Sequence, residues 1–126
     1  VACGDTYLLY DEDDYESKPH LHIVITEPDG EGRVVLVSVT TRRAKSDTMV
    51  CLDAGEHEFI THPSVITYAY SKILTVAKLK ELCASGDAIS KGKATDQLVK
   101  RAQNGMSETD RAPYDTKRLF KHLYKR

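Results

Sequence analysis

Residues 21–41 read LHIVITEPDGEGRVVLVSVTT, and the reading of this stretch decides the fold class. LHIVIT (21–26) is a nearly continuous apolar run of strand length. In RVVLVSVTT (33–41), Val35, Val37 and Val39 fall on one face, the period-two alternation of a strand. Between them PDGEG (28–32) is a turn: Pro28 presets φ, and Gly30 and Gly32 tolerate positive φ. The stretch predicts a β-hairpin with a glycine-containing loop.

Working outward, GDTYLLY (4–10) reads as a short strand and the acidic run DEDDYESKP (11–19) as an exposed loop. RRAKSD (42–47) is a polar loop, and MVCLDAG (49–55) a short strand ending in a turn. SVITYAYSKIL (64–74) is a further strand, with Val65, Thr67 and Ala69 opposed to Ile66, Tyr68 and Tyr70. Five closely spaced strands predict a small, strongly twisted barrel. From residue 75 the pattern turns helical. TVAKLKELCASG (75–86) runs from a candidate N-cap, Thr75, to a candidate stop, Gly86. ISKGKA (89–94) reads as a loop. TDQLVKRAQNG (95–105) again runs from a cap residue to a glycine, and its apolar stripe is Leu98, Val99 and Ala102. APYDTKRLFKHLYKR (112–126) predicts a terminal helix with Leu119, Phe120 and Leu123 inward. The expected organisation is one domain over 1–126, with strands in 1–74 and helices in 75–126.

At 126 residues and 40% hydrophobic the chain can bury a core without disulfides. With no Trp and two Phe, that core must be built from Val, Ile, Leu and Tyr. Cys3, Cys51 and Cys83 are an odd number without CxxC spacing, which predicts free thiols in a reducing cytoplasm rather than a disulfide framework or zinc ribbon. No apolar run approaches the ~18 residues of a membrane span. The chain begins at Val1 rather than Met, as a trimmed N-terminus would. The net charge of -1 hides a split. Residues 1–70 hold 13 acidic residues against 5 Lys/Arg (-8), and residues 71–126 hold 6 against 13 (+7). Such asymmetry points to a nucleic-acid surface or a self-complementary dimer.

Four histidines fall within residues 20–62. His20 and His22 sit two apart on a strand and share a face, a spacing that can bind metal given a third ligand. No HExxH motif or Cys/His zinc spacing accompanies them, and no metal or cofactor is expected. His57 and His62 flank a short segment, and imidazole titrates near neutral pH. As a pair they would serve as general acid and base at a phosphodiester. Tyr68, Lys72 or an arginine would stabilise the developing charge. Thr40, Thr41, Arg42 and Arg43 place hydroxyls beside guanidinium groups, which bind phosphate bidentately. P-loop, GxSxG, GxGxxG and paired-carboxylate motifs are missing, which disfavours nucleotide hydrolysis, serine hydrolysis and dinucleotide binding.

Several short motifs together resemble the MazF/PemK-like toxin group. They are Gly4-Asp5-Thr6-Tyr7, Lys18-Pro19-His20-Leu21-His22-Ile23-Val24-Ile25-Thr26, Val37-Ser38-Val39-Thr40-Thr41, and Ser64-Val65 followed by Ile73-Leu74-Thr75. Residues 95–109 also look like the closing helix of some relatives. The resemblance implies a mainly β fold with α, a small SH3-like barrel of PemK/MazF type with C-terminal helices. It implies a metal-independent endoribonuclease that attacks through the ribose 2′-OH, a homodimer held inactive by an antitoxin protein. The family threonine maps to Thr40 or Thr41. Where the family carries a catalytic arginine, this chain has Lys18, so Lys18, Arg42 or Arg43 would bind the scissile phosphate while His57 or His62 moves protons. The alternative reading is a non-catalytic SH3-like module that binds nucleic acid or peptide.

Overall fold

The computed structural model describes residues 1–10 and 18–124, so the acidic stretch 11–17 and the last two residues lie outside the described part. Six strands form one antiparallel sheet curled into a half-barrel: β1 (Asp5–Tyr10), β2 (Pro19–Val24), β3 (Arg33–Thr41), β4 (Cys51–Leu52), β5 (Ser64–Thr75) and β6 (Ile89–Lys93), in the order β4-β5-β3-β2-β1-β6. Three helices complete the fold: α1 (Val76–Ser85), α2 (Asp96–Glu108) and α3 (Tyr114–Leu123).

The hairpin forms as its sequence predicts, with Leu21 opposite Val39 and Ile23 opposite Val37. Regular β2 starts at Pro19 and ends at Val24, two residues earlier than the apolar run at each end. Past it, Ile25 N–H still donates to the Val35 carbonyl (2.9 Å), and the Thr26 hydroxyl accepts from Val35 N–H (3.0 Å). Asp29 holds the turn. Its carboxylate accepts from the backbone of Glu31 and Arg33 and from Arg33 Nε (2.8–2.9 Å).

Alternation sends the strand side chains into two cores. On one face Leu8, Ile23, Val35, Val37, Val39, Ile66 and Tyr68 pack against Leu98, Ala102 and Met106 of α2 and Phe120 of α3. On the other, Tyr7, Leu9, Val24 and Leu36 pack against Leu79 of α1. Both faces of the sheet are thus sealed by helices, each contributing its apolar stripe.

The helix caps match the sequence. Thr75 accepts from Lys78 N–H, Thr95 accepts from Leu98 N–H, and Gly86 closes α1 at φ +84, the left-handed C-cap conformation. Four expectations need correction. Residues 89–94 are not a loop: Ile89–Lys93 adds to the free edge of β1 as a sixth strand. Of 49–55, only Cys51–Leu52 pairs as a strand. Gly105 does not stop α2, which continues to Glu108. There the helix backbone lies against Tyr68 and Val50, so the glycine serves close approach rather than termination. The terminal helix begins at Tyr114, after Pro113, rather than at 112.

The sheet's two edges do not remain apart. The loop after β4 buries Ile60 in the α2-side core. It also carries His57 to β6 and β1 at the opposite edge, so one segment bridges the open side of the half-barrel.

Candidate functional site

Antiparallel pairing gathers strand ends. Tyr10 pairs with Pro19, Leu21 with Val39, and Thr41 with Ser64, so the end of β1, the start of β2, the end of β3 and the start of β5 share one rim. Lys18, His20, Thr40, Thr41, Arg42, Arg43 and His62 lie on or next to it. Six of these, all but His20, are the catalytic or substrate-binding candidates of the sequence, and strand pairing brings them to one rim.

Thr40 and Thr41 diverge because successive strand residues point to opposite faces. The Thr40 hydroxyl meets Thr67 across the β3–β5 ladder at 2.6 Å. The Thr41 hydroxyl meets His62 Nε2 at 2.8 Å. Of the two threonines, Thr41 is the one that touches a histidine. Thr61 Oγ1 stands 3.3 Å from His62 Nδ1, and Ser64 Oγ donates to the His62 carbonyl (2.9 Å). These two hydroxyls were not foreseen, although they lie in plain view in Thr61-His62-Pro63-Ser64.

Arg42 continues the β3–β5 ladder, its N–H donating to the Pro63 carbonyl (3.1 Å). Arg43 N–H donates to Ser46 Oγ (2.7 Å). Both side chains are exposed, and no carboxylate among the described residues pairs with either guanidinium. The rim thus offers two exposed guanidinium groups, a histidine and its threonine partner on adjoining strand ends.

His57 does not join them. It is buried, and both ring nitrogens are engaged. Phe59 N–H donates to Nδ1 (3.0 Å), so Nε2 carries the hydrogen and gives it to the Lys91 carbonyl (3.0 Å), with Thr6 Oγ1 at 3.3 Å. Its partners are β1 and β6; those of His62 are the end of β3 and Thr61. The geometry separates the pair and makes His57 the tie between loop and sheet edge.

Tyr68 is likewise turned inward. It is fully buried, and its hydroxyl donates to the Ala102 carbonyl of α2 (2.8 Å). Burial, helped by the Asp47 charge and opposed by Arg101, pushes the phenol well above its ordinary value. Lys72 directs its ammonium to the Tyr10 carbonyl (3.4 Å). His22 is buried, its Nδ1 donating to the His20 carbonyl (2.8 Å). Among the described residues no three His, Cys, Asp or Glu side chains converge as metal ligands. Cys3, Cys51 and Cys83 are unpaired. No helix among the described residues is long and apolar enough to cross a membrane.

No family model matches the chain, and no curated protein matches its sequence.

Proposed function

We propose that the rim is the active site of a metal-independent endoribonuclease on a PemK/MazF-like barrel. The observation that carries this reading is the 2.8 Å contact of His62 Nε2 with the Thr41 hydroxyl beside Arg42 and Arg43. Arg42 and Arg43 take the non-bridging oxygens of a phosphodiester in forked hydrogen bonds. Neutral His62 removes the proton of the neighbouring ribose 2′-hydroxyl. The O2′–P bond forms as the P–O5′ bond breaks, leaving a 2′,3′-cyclic phosphate and a 5′-hydroxyl that takes its proton from water. Thr41 orients the imidazole, and the guanidinium groups offset the charge developing on phosphorus. Lys18, at the start of β2 on the same rim, adds to the positive field along the strand. By the family resemblance the enzyme is a cytoplasmic toxin that dimerises and is neutralised by an antitoxin protein.

A second reading has its own support. With His57 and Tyr68 committed to the interior, His62 is the imidazole in contact with Thr41 beside the arginines, and a rim that binds phosphate needs no second proton carrier. A non-catalytic RNA-binding module fits that set equally.

Cleavage of a long single-stranded RNA in EDTA tests both. The wild type is expected to leave 5′-hydroxyl ends. His62→Ala should slow cleavage by about 100-fold or more with little change in thermal stability, because His62 is exposed. His57→Ala should do the reverse: a markedly lower melting temperature, with cleavage per folded molecule retained. Full activity in His62→Ala would defeat the assignment. Binding without cleavage by the wild type would leave the module.

A further inference from the structure

α3 has two unlike faces. Thr116, Leu119 and Phe120 are buried. Tyr114, Lys117, Arg118 and Lys121 stand at i, i+3, i+4 and i+7, and so form one stripe on the outer side. Tyr114 is 73% exposed, more than any other large hydrophobic side chain among the described residues. The stripe lines an open cleft together with Asp110 and Ala112.

Three basic side chains elsewhere are held by carboxylates. Arg33 pairs with Asp29, Lys93 with Asp5, and Arg101 with Glu56. Lys117 is anchored, donating its ammonium to the Thr109 carbonyl at the end of α2. No carboxylate among the described residues pairs with Arg118 or Lys121, although Asp115 shares their helix and Asp110 their cleft. The face thus sets an exposed aromatic ring beside positive charge, the combination that takes a base by stacking and its phosphates by charge.

We infer that this face of α3 is a second RNA-holding surface, remote in sequence from the rim, on which Tyr114 stacks against one unpaired base while Arg118 and Lys121 hold the flanking phosphates. The inference rests on the ribonuclease reading for the choice of RNA; the stacking and the charge are properties of α3 itself. The occupant is single-stranded because a duplex already uses its base faces internally, whereas an unpaired base presents one to an aromatic ring. An acidic peptide would satisfy the cations and leave the ring without a flat partner.

The test is fluorescence anisotropy with a short 2′-O-methyl single-stranded RNA, which lacks the attacking hydroxyl and survives the measurement. Tyr114→Ala should weaken binding about tenfold, the loss of one base stack, and Tyr114→Phe should stay within about twofold of wild type. Arg118→Gln with Lys121→Gln should make the dependence of log affinity on log salt shallower by about one unit or more. A duplex of the same sequence should bind more weakly and be indifferent to Tyr114→Ala. Unchanged affinity in Tyr114→Ala, with folding verified by thermal melt, would overturn the surface. Tighter binding of the matching single-stranded DNA would overturn the assignment to RNA. Cleavage of the long RNA by the wild type tests the ribonuclease reading, and the affinity change in Tyr114→Ala tests this surface, so the two failures are read separately.

Discussion

A methyl group at position 105 would lie 2.7 Å from Tyr68 Cζ and 2.8 Å from Val50 Cγ2, well inside carbon contact distance. Gly105 therefore sets how closely α2 approaches β5, and that approach lets the Tyr68 hydroxyl reach the Ala102 carbonyl. Alanine is the better helix former by about 1 kcal/mol, yet overpacking of this kind costs about 1–3 kcal/mol. Gly105→Ala is expected to lower the melting temperature, and Tyr68→Phe, which removes one hydrogen bond, to cost about 1 kcal/mol. A Gly105→Ala protein as stable as wild type in urea titration would show that the helix can shift away at no expense. The same residues show how single positions were legible. Tyr68 was expected at a substrate; its place in the alternation of β5 instead sends it inward, where its ring fills the core.

At the scale of the element, the β2–β3 hairpin depends on its turn as much as on its strands. The hydrogen bond from Arg33 N–H, with those from its side chain and from Glu31 N–H, holds the Asp29 carboxyl below its ordinary 3.8, against an opposing effect of desolvation. A carboxylate depressed in the folded state adds stability that is present above its unfolded pKa and is lost as pH falls through the folded one. Asp29→Ala should therefore melt below wild type at neutral pH, and the gap should narrow as the solution is acidified through and below the ordinary carboxylate range. A gap of constant size across that range would mean that the ionised carboxylate is not what holds the turn. Elements with local signals of this sort were readable in advance: the hairpin, the capping threonines Thr75 and Thr95, and the Gly86 stop. β6 was not. ISKGK has one large apolar residue and no alternation, and it becomes a strand because β1, some eighty residues earlier, offers an unpaired edge.

For the whole molecule, the two cores share strands β1, β2, β3 and β5, and the loop carrying His57 joins the two edges of the sheet. Neither core can come apart without exposing the back of the other. Unfolding is expected to be a single transition, with far-UV circular dichroism and the fluorescence of the seven tyrosines coinciding. Separated midpoints would show that one helix layer detaches on its own.

By itself the sequence determined strands β1, β2, β3 and β5, the threonine caps of α1 and α2, the apolar stripes of the helices and the adjacency of Thr41, Arg42 and Arg43, because each depends on residues within a turn or two of one another. Only the tertiary structure decided that six strands rather than five make the sheet, that α2 runs through Gly105, and which histidine faces which partner. His57 and His62 are five residues apart in the chain, yet one bonds to β6 and the other to the end of β3. Strand pairing and burial are relations between distant segments, and no local pattern in either segment encodes its partner.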